Sequence, residues 1–137
     1  YRLEDADYAM VLIGSTAGTA KDTVDQLREQ GVKAGILKIR LFRPFPAEEI
    51  AEALSHVKYL AIMDRTEDFN TNCGPLGAEI KSALYNKNLH PAVINYCYGL
   101  GGRDVTVESL TSVFNDLMQI EKTGDTGETY RYLSVRE

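Results

Sequence analysis

The stretch that joins the first apolar segment to the first helix pattern constrains this chain most. Met10–Ile13 is an apolar run of strand length, Gly14 ends it, and small residues lead to a helix pattern that begins near Thr19. A strand that turns through small residues into a helix is the start of an α/β unit. In an open parallel sheet, the loops at the carboxyl ends of the strands form the edge at which ligands or partners bind. The sequence therefore places Ser15 and Thr16 at that edge.

The turn after this first strand differs from the two common phosphate-binding loops. Thr16 stands where the dinucleotide pattern Gly-x-Gly-x-x-Gly needs its second glycine, and three residues, not four, separate Gly14 from Gly18. Lys21 is followed by Asp22, whereas the phosphate loop needs a serine or threonine there. The favoured interpretation is a small-residue turn that lets helix and strand pack closely; an anion bound at the helix N-terminus is the alternative.

The strand–helix pattern of the opening stretch recurs along the chain. Apolar runs of strand length alternate with segments whose apolar residues repeat at helical spacing, and short connections join them. Such alternation predicts a parallel sheet covered by helices on both faces. We therefore predict an α/β fold of three αβα layers with a mainly parallel open sheet. The predicted strands are Met10–Ile13, Val32–Leu41, Lys58–Asp64 and Pro91–Tyr98, and the predicted helices are Thr19–Gln30, Ala47–Ser55, Gly74–Asn86 and a last one, capped by Thr106, that runs to Ile120.

The length of the chain, 137 residues, predicts one compact domain. We assign residues 1–7 to a polar lead-in linker, residues 8–120 to a single α/β domain, and residues 121–137 to a polar tail or interface arm. The sequence begins with Tyr1 and carries no signal-peptide pattern, so we expect an excised or internal fragment of a longer protein. On that expectation, part of the function belongs to residues outside this sequence.

Composition and charge argue against several classes of function. A net charge of −5 and a pI near 5.1 argue against nucleic-acid binding, which needs a basic patch or stripe. No apolar run approaches the roughly 18 residues of a membrane span. Cys73 and Cys97 are too few for an iron–sulfur cluster that needs four ligands. Free thiols are favoured over a disulfide between them, and we expect a cytoplasmic protein.

The carboxyl ends of the predicted strands gather small polar and charged residues on one edge. Arginine side chains there suit bidentate contacts with phosphate, but pairing with neighbouring acids or with the acids of a partner is the favoured interpretation. The glycine-rich loop that begins at Gly99 suits a close approach to a ligand and a tight turn equally well. The interface or ligand-edge candidates are Ser15, Thr16, Arg43, Asp64, Arg65, Gly101, Gly102, Arg103 and Asp104.

The sequence offers no pattern of catalytic or metal-binding residues. No cysteine–histidine or serine–histidine pair stands at the local spacing of a nucleophile and its base, and no metal-ligand spacing occurs. His56 and His90 fall near helix ends on the opposite edge, where a surface cap or carbonyl donor is the favoured role. We therefore assign neither a catalytic residue nor a metal ligand to this chain.

Five short motifs, in one order along roughly residues 8–118, resemble a known family. The combination of the Arg-Pro-Phe-Pro block, Asp-Arg-Thr and the Gly-Leu-Gly-Gly-Arg-Asp loop resembles the second domain of the alpha chain of pyruvate:ferredoxin oxidoreductases. That domain is similar to the carboxyl-terminal domain of transketolase. The motifs are Val11–Thr19, Ile39–Pro46, Met63–Thr66, Gly74–Leu76 and Tyr98–Thr106.

The resemblance implies oxidative decarboxylation of a 2-oxoacid, with pyruvate favoured, to acyl-CoA. It implies a whole enzyme that uses thiamine diphosphate, magnesium and iron–sulfur clusters, takes coenzyme A as co-substrate and passes electrons to ferredoxin through other subunits. The sequence lacks the Gly-Asp-Gly type motif for magnesium and diphosphate, as well as the four-cysteine cluster runs. It is therefore expected to be a non-catalytic core domain that binds no cofactor itself and contacts the other domains and subunits.

Two alternatives to this function have the same architecture. One is a free-standing domain that binds a small ligand or a nucleotide, and fold alone does not separate it from the oxidoreductase domain. The other is a receiver-like signalling domain, suggested by Asp64 at the end of the third strand. The receiver fold needs an acidic pair after its first strand, where Gly14 and Ser15 stand here, so we disfavour it.

Overall fold

The computed structural model describes residues 1–13, 17–39, 46–64, 75–97, 106–127 and 130–132 of the chain. Within them, strands and helices alternate in the predicted order, and one further strand follows the last helix. The strands are β1 (Tyr8–Ile13), β2 (Ala34–Ile39), β3 (Tyr59–Asp64), β4 (Ala92–Cys97) and β5 (Tyr130–Tyr132); the helices are α1 (Ala17–Glu29), α2 (Ala47–Ala53), α3 (Pro75–Asn86) and α4 (Val107–Thr123).

The strands form one parallel sheet in the order β2-β1-β3-β4-β5. β1 pairs with β2 on one side and with β3 on the other, so that Tyr8 stands beside both Ala34 and Tyr59. The order of the strands therefore reverses next to β1, at the kind of position where open α/β sheets bind their ligands. Because the strands are parallel, the carboxyl ends of β1, β3 and β4 lie along the same edge.

The core consists of two apolar layers, one on each face of the sheet. Alternate residues of β1 point to opposite faces, as strand geometry requires. Met10 packs in the layer that includes Val24 of α1 and Phe114 of α4, and Val11 packs in the layer that includes Ile50 of α2 and Ile80 of α3. Burial on both faces explains the continuous apolar runs of β1 and β3. The predicted three-layer α/β architecture is confirmed.

The leading segment packs against the sheet, so the prediction of a linker over residues 1–7 is wrong. Ala6 is fully buried and Leu3 is 9% exposed, and both belong to the apolar layer that lies beneath α2 and α3. Gly35 of β2 lies directly against them, since a Cβ there would stand 2.9 Å from the Cβ of Ala6. The prediction failed because the segment is polar overall, and two isolated apolar residues do not form a recognisable pattern.

Arg28 in the last turn of α1 holds the same segment from the other side. Its guanidinium donates to both carboxylate oxygens of Asp5, at 3.0 and 2.8 Å, and its Nε donates to the backbone oxygen of Ala34 at 2.9 Å. The hydrogen bonds from Arg28 hold the pKa of the Asp5 carboxyl below its ordinary value. The segment is thus fixed by an ion pair as well as by apolar contacts.

The carboxyl-terminal part of the chain also departs from the expected tail over residues 121–137. α4 continues to Thr123, and Gly124 ends it in the left-handed conformation with a φ of +73°. Tyr130–Tyr132 then pairs in parallel with Asn95–Cys97 of β4 and becomes the edge of the sheet. The prediction of a tail is therefore wrong for these residues. The alternative, an interface arm over residues 121–137, stays a prediction, and residues 128, 129 and 133–137 lie outside the described part of the chain.

Candidate functional edge

Asp64 is the one candidate residue of the edge that falls within the described ranges. The edge itself is described up to the last residues of the strands, where Asp64 ends β3 beside Cys97 of β4. The loops that continue from the strands, with the other candidates, lie outside the described residues, and their roles remain predictions. Those candidates are Ser15, Thr16, Arg43, Arg65, Gly101, Gly102, Arg103 and Asp104.

The side chain of Asp64, at the end of β3, points into the fold and is only 5% exposed. Its Oδ1 accepts a hydrogen bond from the backbone N–H of Leu76 at 2.8 Å. Its Oδ2 accepts two more, from the N–H of Gly77 at 2.9 Å and from Nδ2 of Asn95 at 2.9 Å. Both carboxylate oxygens are therefore occupied by protein donors.

The two backbone donors belong to the first turn of α3, which begins at Pro75. The N–H groups of a first turn have no partner within the helix, and a side chain on the preceding residue commonly accepts from them. Gly74 precedes this helix in the sequence and has no side chain to offer, and the first turn holds no acidic residue. Asp64, which lies at the end of β3, thus caps α3 in place of the preceding residue. The helix dipole favours its negative charge at this end of the helix.

Asn95 fixes the carboxylate from the side of β4. It is fully buried, and its Nδ2 donates to the backbone oxygen of Ile62 at 2.9 Å as well as to Asp64. Gly77 allows α3 to approach this side chain, because a Cβ at that position would lie 2.6 Å from Cγ of Asn95 and would overlap its Oδ1. β3, β4 and α3 therefore meet in one buried polar cluster, which consists of Asp64, Asn95 and the amides of Leu76 and Gly77.

The chemistry available to this cluster follows from its hydrogen bonds. A buried charge needs partners, and here three N–H donors supply them. A carboxylate engaged in this way fixes the position of a helix relative to a sheet and is not presented to a reactant. Among the described residues, no group of three or more histidine, cysteine, aspartate or glutamate side chains is arranged to hold a metal ion.

The two histidines lie at the opposite edge of the sheet, as predicted. His56 follows α2, and its Nε2 lies 2.6 Å from the backbone oxygen of Leu3. Nε2 of His90 lies 3.0 Å from Oδ1 of Asn88 in the connection between α3 and β4. Both histidines therefore contact residues of the leading segment or of a connection, at the edge of the sheet opposite Asp64.

Sequence reasoning missed Asn95 and Gly77. Asn95 carried a usable signal, because it is an uncharged polar residue inside the apolar run of β4, and a buried amide requires a partner. Gly77 carried a weaker signal, as a glycine inside a helix pattern often marks a close approach. Neither signal identifies Asp64 as the shared partner, since β3 and β4 are separate in the sequence.

In the part of the chain that the structure describes, no helix has the length and the hydropathy that crossing a bilayer requires.

The chain matches the family described as pyruvate:ferredoxin oxidoreductase core domain II over residues 6–110. It is 40% identical over 137 residues to the pyruvate synthase subunit PorA of Methanosarcina barkeri, and the alignment covers 100% of this chain and 34% of that protein. It is 44% identical over 122 residues to the ketoisovalerate oxidoreductase subunit VorA of Pyrococcus furiosus, and the alignment covers 89% of this chain and 31% of that protein. The chain therefore spans about a third of the length of these curated relatives.

Two solved structures share the fold at low sequence identity. A 2-oxoglutarate:ferredoxin oxidoreductase from Magnetococcus marinus, with 2-oxoglutarate, coenzyme A and succinyl-CoA bound, aligns with a TM-score of 0.65 at 20% identity, over 83% of this chain and 18% of that one. A split-gene transketolase, an inactive beta4 tetramer, aligns with a TM-score of 0.63 at 15% identity, over 82% of this chain and 38% of that one. Both likenesses support the transketolase-like α/β architecture.

Proposed function

The chain belongs to the pyruvate:ferredoxin oxidoreductase core domain II family, and from this premise we propose that it is a non-catalytic core domain of a 2-oxoacid:ferredoxin oxidoreductase. The whole enzyme would oxidatively decarboxylate a 2-oxoacid, with pyruvate favoured, transfer the acyl group to coenzyme A and pass the electrons to ferredoxin. The family match over residues 6–110 carries this proposal. The relatives named as pyruvate synthase and ketoisovalerate oxidoreductase subunits support the substrate class.

In this proposal the domain braces its neighbours, while the cofactors are bound elsewhere in the enzyme. Thiamine diphosphate, magnesium and the iron–sulfur clusters belong to other domains or chains, and ferredoxin reaches the enzyme through other subunits in the cytoplasm. The buried cluster around Asp64 supports a bracing role, because its carboxylate is fully engaged in holding α3 to the sheet. The coenzyme A in the Magnetococcus marinus structure supports the choice of acyl acceptor.

The proposed surface of contact with the other domains is the carboxyl edge of the sheet. Asp64 lies beneath this surface, so the contacts fall to the candidates that follow the strands, of which Arg103 and Asp104 are the most informative to change. Because the proposal gives Arg103 a role in contacts with other subunits and none in folding, Arg103→Ala should leave the unfolding midpoint of the chain nearly unchanged, within the about 0.5 kcal/mol that is usual for such changes. The same change should weaken association with the other subunits. Lys122→Ala is the matched control, as this exposed residue lies in the last turn of α4, far from the edge.

The activity itself is tested on the assembled enzyme. The subunit that contains this chain is produced together with its partner subunits, and reduction of ferredoxin is followed with pyruvate, 2-oxoisovalerate or 2-oxoglutarate in the presence of coenzyme A. We expect one of these acids to be consumed and converted to its acyl-CoA. Full activity in an assembly from which this domain has been deleted would refute the bracing role. Micromolar binding of thiamine diphosphate to this chain in calorimetry would refute the assignment of the cofactor to other domains.

A further inference from the structure

We propose that the amino edge of the sheet, where the strands begin, binds a small phosphate ester in a cleft between the end of α2 and the connection from α3 to β4. The cleft consists of two adjoining cavities of about 320 and 330 Å³, which share Ser55 and Leu89 as lining residues. Cavities that hold small organic ligands begin at about 300 Å³, so a compact ligand fits. The proposal does not depend on the proposed function, because the cleft lies at the edge opposite Asp64.

The first cavity, which we call the basic cavity, gathers three basic side chains from two separate parts of the chain. His56 and Lys58 lie between α2 and β3, and His90 lies just before β4. All three are exposed, whereas Leu54 and Val57, which also line the cavity, are buried. None of the described residues that line this cavity is acidic. Lys58 takes part in no ion pair within the described part of the chain, so its ammonium group is available to an external anion.

The order of the strands explains why these basic side chains meet. Residues after a helix are often basic, because the carbonyl groups of its last turn favour a positive charge. That effect accounts for His56 after α2, but it does not bring His90 to the same cavity. β3 and β4 are parallel neighbours, and the backbone oxygen of Lys58 accepts from the N–H of Ala92 at 3.0 Å. The segments that lead into the two strands therefore lie side by side.

Hydrogen bonds determine which nitrogen of each histidine carries the proton. Nε2 of His56 lies 2.6 Å from the backbone oxygen of Leu3, and Nε2 of His90 lies 3.0 Å from Oδ1 of Asn88. Both oxygens are acceptors, so each Nε2 is the donor, and each Nδ1 is the nitrogen that takes up a second proton. A bound dianion favours this uptake, and by linkage it should bind more tightly as the pH falls. The charged and titratable residues that line the cleft are Glu48, Glu52, His56, Lys58, Lys87 and His90.

The second cavity, which we call the acidic cavity, offers a different chemistry to the rest of the ligand. Glu48 and Glu52 line it from α2, and Lys87 lines it from the end of α3. The two carboxylates accept hydrogen bonds from hydroxyl groups, and their charge repels a second phosphate. A ligand with a phosphate at one end and hydroxyl groups at the other therefore matches the two cavities, with its phosphate in the basic one.

NMR titration of the full chain tests the proposal. Glycerol 3-phosphate is the probe, inorganic phosphate and glycerol are the comparisons, and sodium chloride keeps the ionic strength constant. We expect glycerol 3-phosphate to move the amide signals of Ser55, Lys58 and His90 in a saturable manner and to bind more tightly than inorganic phosphate. Glycerol should cause no saturable movement. If the edge serves only as a contact with another subunit, none of these compounds moves the signals, and the proposal is overturned.

Substitutions of Lys58 test the basic cavity. Lys58→Ala should raise the dissociation constant of glycerol 3-phosphate about 10-fold, because it removes a charged hydrogen-bond donor, whereas Lys58→Arg should retain binding. Lys122→Ala is the matched control, since this exposed lysine lies in the last turn of α4 and does not line the cleft. An unchanged dissociation constant in Lys58→Ala would overturn the assignment of the phosphate to this cavity. The urea midpoints of all three variants should equal that of the unchanged chain, because both lysines are exposed.

The histidines and the acidic cavity are tested separately. Sulfate keeps its charge between about pH 6 and 8, where histidine titrates, so a pH effect on its binding reports the protein. Its affinity should rise as the pH falls, and His90→Ala should reduce that rise; an affinity that is independent of pH would overturn the role of the histidines. Glu52→Ala should bring the dissociation constants of glycerol 3-phosphate and inorganic phosphate closer together. Tighter binding of inorganic phosphate than of glycerol 3-phosphate to the unchanged chain would overturn the role of the acidic cavity.

Discussion

Helices α3 and α4 begin in opposite ways. α4 is capped by the residue just before it: Oγ1 of Thr106 accepts from the N–H of Ser109 at 3.1 Å, and Oγ of Ser109 accepts from the N–H of Thr106 at 3.0 Å. α3 takes its acceptor from β3, where the carboxylate of Asp64 receives the N–H groups of Leu76 and Gly77. The cap of α4 is exposed to solvent and that of α3 is buried.

The difference shows that similar hydrogen bonds have different consequences in different surroundings. Water can replace a lost acceptor at the exposed start of α4, so removal of the Thr106 side chain leaves no orphaned donor there. At the start of α3, water has no equivalent access, and a lost acceptor leaves buried donors unsatisfied. The long-range cap should therefore dominate stability, and the following variants test that order.

Asp64→Ala should have the largest effect. It removes the acceptor of three buried donors, and since each unsatisfied donor costs about 1 to 3 kcal/mol, we expect a loss of about 3 to 5 kcal/mol in the free energy of unfolding after partial relaxation. Urea unfolding in chloride buffer measures it. The loss should persist at high salt, because a buried site is little affected by screening. A loss below that of Thr106→Ala would reverse the comparison.

Gly77→Ala should come second. Its Cβ would overlap Oδ1 of Asn95, so α3 or Asn95 must shift, and overpacking of this kind costs about 1 to 3 kcal/mol. Gly18→Ala in α1 is the matched control, as no atom lies within 4 Å of the position of its Cβ apart from its chain neighbours and the backbone of its own helix. There, alanine should stabilise the helix by up to about 1 kcal/mol. Equal unfolding midpoints for the two variants would mean that Asn95 yields freely and does not hold the cluster in place.

Thr106→Ala should have a smaller effect. Loss of an N-terminal capping side chain costs typically about 1 kcal/mol, and the exposed donor of Ser109 can turn to water. Thr106→Asp is the control, because an aspartate retains the acceptor and adds a favourable charge at the helix start. Thermal unfolding of both variants measures the difference. If the alanine and aspartate variants melt alike, the capping side chain contributes nothing measurable to α4.

The same comparison shows how far the sequence carries a prediction. Thr106 was predicted correctly as the cap of α4, because the capping residue directly precedes its helix in the sequence. The alternation of strands and helices was predictable for the same reason, since each element shows its own periodicity. The start of α3 was located closely as well, but its acceptor was not identified, because Asp64 meets its donors only when β3 and α3 are in place.

The errors at the two ends of the chain have the same origin. Leu3 and Ala6 are single apolar residues in a polar segment, so the local sequence pattern does not predict that they are buried. Their burial depends on the apolar surface that β2 and α2 form in the folded chain. Tyr130–Tyr132 is too short to show strand periodicity, and it becomes a strand because β4 offers it an open edge. Such features depend on tertiary contacts that override local propensity.

Asp5 separates the effect of burial from that of hydrogen bonding, and it should show the smallest effect of all. Its carboxylate accepts two hydrogen bonds from the guanidinium of Arg28, but its side chain is 62% exposed. Exposed ion pairs contribute little to stability, and salt screens them. We therefore expect Asp5→Asn to shift the unfolding midpoint less than Asp64→Ala, Gly77→Ala and Thr106→Ala. High salt should remove this shift, whereas it should not remove that of Asp64→Ala.

The pH dependence of the Asp5→Asn effect follows from the pKa of Asp5. Its hydrogen bonds with Arg28 lower that pKa in the folded state below the ordinary value of 3.8. The contribution of the carboxylate is thus fully present above pH 3.8 and is lost as the pH falls through the lowered folded value. Urea midpoints of the unchanged chain and of Asp5→Asn should differ slightly at neutral pH and converge in acid. A difference that stays constant through this range would show that the amide disturbs the leading segment by its shape, and that the charge of Asp5 does not stabilise it.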